Sequence, residues 1–131
     1  MPQMQSTSYN YLLVFLGGGL GASARYWMYG AIMRAVNSTF PYGTMAVNIL
    51  GCFLIGLLMT AFEERFLVQP TWRIFLTVGI LGGFTTFSTF SFETIALIRE
   101  AQYFSAAMNA LGSVCLCLAG TFAGTLAGTT F

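Results

Sequence analysis

The chain has 131 residues, of which 56% are hydrophobic, 16% aromatic and 7% charged, with a formal net charge of +1. A water-soluble domain carries about 25% charged residues, so a chain this poor in charge needs lipid as its solvent. Four membrane helices use about 80 to 100 positions, which excludes a soluble catalytic domain, and the absence of a basic run argues against nucleic acid as a partner.

Uncharged stretches cover residues 1–24, 35–62, 74–92 and 101–131, against the roughly 20 apolar residues that a helix needs to cross a bilayer. The pattern predicts an all-α membrane protein, a single four-helix domain over residues 1–131 with helices at 11–33, 44–62, 74–98 and 104–128. In the first helix, residues 11–20 followed by Ala22, Ser23 and Ala24 resemble a signal-peptide core and cleavage site. No basic residue precedes Arg25, however, and the apolar pattern resumes after it, so one long helix is expected. Asn37, Ser38, Pro41 and Gly43 mark the turn into the second helix, and Glu63, Glu64, Arg65 and Pro70 mark the turn into the third.

Arg65 and Arg73 fall at the membrane face that carries both termini, face A, and Arg34 and Arg99 fall at the opposite face B. Two against two leaves no positive-inside bias to choose an orientation. The chain is therefore expected either to insert both ways and pair with an inverted copy, or to be oriented by another signal. Gly17 and Gly21, Gly79 and Gly83, and Gly120, Gly124 and Gly128 have the four-residue spacing that lets helix backbones approach where no hydrophobic effect drives association.

The third helix carries the string GGFTTFSTFS at residues 82–91. Two adjacent glycines weaken a helix by roughly 1 kcal/mol each, and the hydroxyls that follow can satisfy backbone groups freed by a break. At 1.5 Å per residue, Gly82 and Thr85 lie about 12 and 17 Å below face A, near the midplane. An interrupted helix at that depth exposes carbonyls that coordinate cations and N–H groups that favour anions, whereas an intact one would make the string a packing notch. Phe87 and Phe90, three apart, share a helical face, and their ring edges carry the positive part of the aromatic quadrupole. Thr44 and Asn48 on the second helix and Asn109 and Ser113 on the fourth lie at similar depths below face B. Together they form a ladder of neutral donors that either joins helices or lines an ion path. Cys52, Cys115 and Cys117 read as small apolar packing residues, because there is no His and no Cys-x-x-Cys pair to build a zinc site.

Together with GTMAVNILG at residues 43–51 and GGGLGASARY at residues 17–26, that string resembles the CrcB (Fluc) fluoride channel family, over all four helices. The resemblance implies a multi-pass protein of the bacterial inner membrane, not an enzyme, that forms an antiparallel dual-topology homodimer with two pores and exports fluoride passively. By position it implies a structural sodium ion held by the main-chain carbonyls of Gly82 and Thr85. It implies a fluoride pathway along Phe87, Phe90, Asn48, Thr44, Ser113 and Asn109. The chain departs from the family on the fourth helix, where Asn109 stands at a position that some members give to Tyr and Cys117 stands where a second Ser is found.

Arg25 and Glu93 are the ionisable residues well inside the helices, expected either to form an intramembrane ion pair, to border a water-filled vestibule, or to snorkel to the interface. Two rival functions remain on the residues alone. A proton-coupled small four-helix exporter matches in size, but such exporters depend on an acidic residue in helix 1, which has none here. A non-transporting membrane subunit would make the broken helix incidental. No nucleophile and base, metal cluster or carboxylate pair suggests an enzyme.

Overall fold

The computed structural model of the chain describes residues 2–64 and 68–130, with side chains from residue 7 onward. It is all helix: α1 (Pro2–Val36), α2 (Tyr42–Glu64), a third span made of several pieces, and α6 (Tyr103–Thr130). Tyr42–Glu64, Pro70–Arg99 and Tyr103–Thr130 are each long and apolar enough to cross a membrane, with mean hydropathies of 2.2, 1.5 and 1.7. The 35 residues of α1 reach about 52 Å at 1.5 Å per residue. Its lower hydropathy comes from Arg25, Arg34 and its polar first turns, and it completes a four-helix, membrane-spanning fold by lying against the third span. Arg65 lies outside the described residues.

Most of the large apolar side chains face outward, toward lipid, and a few of them join small residues inside. Phe15, Tyr26, Phe104, Leu111 and Phe122 are exposed, whereas the buried set is Val47, Ala61, Leu81, Phe84, Leu97 and Ala106. Where hydrocarbon surrounds the helices, close backbone packing replaces the hydrophobic effect as the cohesive force. Glycine makes that packing available in two places. Between α1 and the third span, a Cβ placed on Gly17 would lie 2.8 Å from the Phe75 carbonyl oxygen, and one on Gly83 would lie 2.5 Å from the Gly18 carbonyl oxygen. Between α2 and α6, a Cβ on Gly124 would strike the Phe53 carbonyl and one on Gly128 would lie 2.9 Å from the Leu57 carbonyl oxygen. The glycine stripes therefore join helices of one chain, α1 to the third span and α2 to α6.

The turns follow from local chemistry. Asn37 adopts a left-handed φ of 46° and returns its N–H to the Met33 carbonyl at 3.1 Å, ending α1. Ala101, at φ 59°, closes the third span with the Gln102 N–H bonded to the Leu97 carbonyl at 2.9 Å, a left-handed cap normally given to Gly.

The third span is where the regular helix fails. It starts as α3 (Pro70–Arg73), with proline in its first turn where the missing N–H costs nothing. It widens to a π-helix over Ile74–Leu81 and passes through one short turn, α4 (Gly82–Phe84). Thr85 (φ −85°, ψ 158°) and Thr86 (φ −151°, ψ 118°) are then extended, and α5 (Phe87–Arg99) begins anew. The span is bent and interrupted within the string that predicted it, but the interruption falls at the two threonines. Gly82 keeps helical dihedrals (φ −61°, ψ −38°), and Gly83 is held against α1. Gly83 serves approach, Gly82 stays within a helical turn, and the threonines make the break.

Candidate ion pathway at the broken helix

An interrupted helix leaves backbone groups without partners, and in a bilayer each must be satisfied from within the protein. Thr86 is held on both sides by one side chain. The Asn48 amide donates from Nδ2 to the Thr86 carbonyl at 2.9 Å, and its Oδ1 accepts the Thr86 N–H at 2.8 Å. That N–H would go to the Gly82 carbonyl in a continuous helix, so Asn48 releases Gly82 from its helical partner. The Gly83 carbonyl is likewise diverted, accepting from Arg25 Nε at 3.1 Å. Thr85 returns its own hydroxyl and N–H to the Leu81 carbonyl, at 3.1 and 3.0 Å. The restart of the helix is capped by the Thr86 hydroxyl, which accepts the Thr89 N–H at 3.2 Å.

Beside the break lies a groove of about 390 Å³. Asn48, Ser113, Phe87 and Phe90 border it, together with Gly82 and Thr85, so α2, the third span and α6 all contribute to one surface. The Phe87 and Phe90 rings are 5.4 Å apart between centroids and inclined at 55°, and Phe87 is 77% exposed within the single chain. The groove is therefore mostly apolar, with a few neutral donors and no formal charge, at the N-terminal end of α5, where the helix dipole favours negative charge.

The remaining candidates sit elsewhere. Thr44 is 3% exposed and borders a separate cavity of about 110 Å³ with Arg25, Tyr26, Tyr29, Val47, Thr86 and Thr89. Asn109 is 1% exposed, donates to the Thr94 hydroxyl at 2.9 Å, and accepts the Ser113 hydroxyl at 3.4 Å. It ties α6 to α5 behind Ser113. The structure thus divides the polar ladder into a groove, a small cavity and a buried link. Arg25 is engaged with the Gly83 carbonyl, while Glu93 lies beside the Thr44 hydroxyl and has its Oε1 buried without a hydrogen-bond partner.

A family model described as "CrcB-like protein, Camphor Resistance (CrcB)" matches residues 12–125, a range that spans α1 to α6 and contains the whole groove. The chain belongs to the CrcB family. Among relatives of this CrcB protein is a "Fluoride-specific ion channel FluC" of Geobacter sulfurreducens, 48% identical over 116 residues, 88% of this chain and 94% of the relative. Proteins of the same name from Solibacter usitatus and Coxiella burnetii are 51% and 47% identical, covering 88% and 91% of this chain and 95% and 97% of their own. This CrcB protein is a multi-pass protein of the bacterial inner membrane.

Two residues and one contact at the site went unassigned in the sequence reading. Thr86 is the pivot of the break, and a Thr directly before the apolar run that starts at Phe87 is a helix-start signal that could have located it. Thr77 borders the groove from the π-helix, with its hydroxyl bonded to the Arg73 carbonyl at 2.7 Å. Cys52 and Cys117 border it as well, and nothing in their spacing along the chain signals that they meet.

Proposed function

We propose that this CrcB protein is a passive, fluoride-selective channel, built as an antiparallel dual-topology homodimer with two pores around a structural sodium ion. The observation that carries the reading is the groove in which Asn48, Ser113, Phe87 and Phe90 converge beside an interrupted helix. Fluoride holds its water tightly, so a pore must offer replacement donors. A second Asn48 N–H, beyond the one bound to Thr86, is such a donor, the Ser113 hydroxyl becomes one on turning away from Asn109 Oδ1, and the positive edges of the two rings add attraction without charge. A fixed cation on the path would bind the ion too long, whereas several neutral sites in series let it enter and leave.

The donor set fits a small hard cation. The Gly82 carbonyl is released by the Asn48 clamp, and Gly82 and Thr85 border the same groove. Oxygen ligands of this kind suit ions that thiols and imidazoles do not. When bound, sodium would supply positive charge near the ion path. Thr44 and Asn109 act in this reading as supports. Thr44 stands beside Glu93, and Asn109 holds the Ser113 hydroxyl in orientation.

The deciding experiment is fluoride efflux from liposomes that contain the purified protein. Efflux that is unaffected by a proton gradient supports the channel, and efflux driven by one favours the small proton-coupled exporter instead. Efflux lost on replacing sodium with a large organic cation supports the structural ion. Tags at the C-terminus reporting from both sides of the membrane support dual insertion, and tags on one side only refute it.

A further inference from the structure

Two thiols meet inside the groove. Cys52 on α2 and Cys117 on α6 both border it as free thiols, close enough to interact with each other. Their positions are fixed by the backbone, because the two helices are clamped by glycine one turn away. A Cβ on Gly120 would lie 3.2 Å from the Ile49 carbonyl oxygen, and one on Gly124 would strike the Phe53 carbonyl. Among the described residues no third Cys, His or carboxylate joins them to form a larger ligand cluster. That excludes the four-ligand site zinc prefers and leaves the linear two-thiolate coordination of soft cations. Charge then selects among soft cations. Two thiolates around a divalent ion make a neutral unit, which the apolar groove tolerates, whereas around a monovalent ion they leave a net negative charge at membrane depth.

We propose that Cys52 and Cys117 form a two-coordinate thiolate site for a soft divalent cation inside the groove. With mercuric chloride as the probe, two S–H bonds break and two S–Hg bonds form. Two chlorides leave and two protons pass to water, with no change of oxidation state. Mercuric chloride is neutral and reaches the groove without moving a bare charge through lipid. Beside Ser113 the bound metal narrows the groove, a consequence that rests on the fluoride-channel reading, although the metal site itself does not.

The test uses the full chain with the exposed Cys115 changed by C115A, titrated with mercuric chloride while the sulfur-to-mercury absorbance and bound metal are followed. The expected endpoint is one mercury per chain with both thiols consumed. Changing Cys52 or Cys117 as well, by C52A or C117S, should weaken binding by about 100-fold, as expected when a two-point attachment becomes one-point. Two mercury ions per C115A chain, or none, overturns the site, and so does undiminished affinity in both double variants. Fluoride efflux from C115A liposomes separates this from the channel reading. A mercury block reversed by dithiothreitol supports both, whereas unchanged efflux with one mercury bound leaves the thiol site standing and removes the groove as the fluoride route.

Discussion

Replacing Asn48 tests structure and conduction at once, because its amide serves the break and the groove together. Asn48→Ala removes a bond of 2.8 Å from the Thr86 N–H and one of 2.9 Å to its carbonyl. The carbonyl of a helix-capping residue is still placed to accept the first bond of α5, but the N–H is left buried and unpaired. An orphaned donor costs about 1–3 kcal/mol and the second bond adds about 1, so a loss of about 2–4 kcal/mol is expected. Chemical denaturation in detergent micelles measures it. Asn48→Asp separates the two roles. It keeps an oxygen for the Thr86 N–H, so its stability should lie between those of alanine and the native residue. Its carboxylate, however, faces the groove and should repel an anion, so fluoride efflux should be lost. Unchanged stability in Asn48→Ala would refute the clamp, and native efflux in Asn48→Asp would take Asn48 off the pathway.

Phe87→Ile keeps an apolar side chain but removes the positive ring edge, so efflux should fall at least about 5-fold with protein folding unchanged by gel filtration, the loss expected if ring contact is worth about 1 kcal/mol or more. Gly124→Ala forces a methyl into the Phe53 backbone and should destabilise the chain by about 1–3 kcal/mol in the same denaturation assay. Ala101→Gly relieves a left-handed φ of 59° and should stabilise by about 1 kcal/mol, with efflux unaffected.

The interruption of the third helix was legible because composition and depth agree on it, yet its position shifted from the glycines to the threonines for a physical reason. In water a glycine pair reads as a breaker. In lipid the same absence of a Cβ is worth more as a surface for another backbone, and Gly83 is spent on Gly18. The break is set by Thr86, whose hydroxyl caps the Thr89 N–H three residues ahead and which has a partner on another helix at Asn48. Only the first of these is local. The polar ladder was legible in height but not in direction. Thr44 and Asn48, one turn apart on α2, open onto different cavities because the bent third span passes between them. Likewise, four-residue glycine spacing announces a close neighbour without naming it, so that α1 meets the third span and α2 meets α6 emerged only from the coordinates.

The bond pair between Asn48 and Thr86 resembles one rung of a β-ladder, supplied by a side chain instead of a strand. Because donor and acceptor both come from the same polypeptide, the kink needs nothing from a neighbour to exist. A newly inserted chain therefore carries its unwound turn already finished, with no partner required to hold it open.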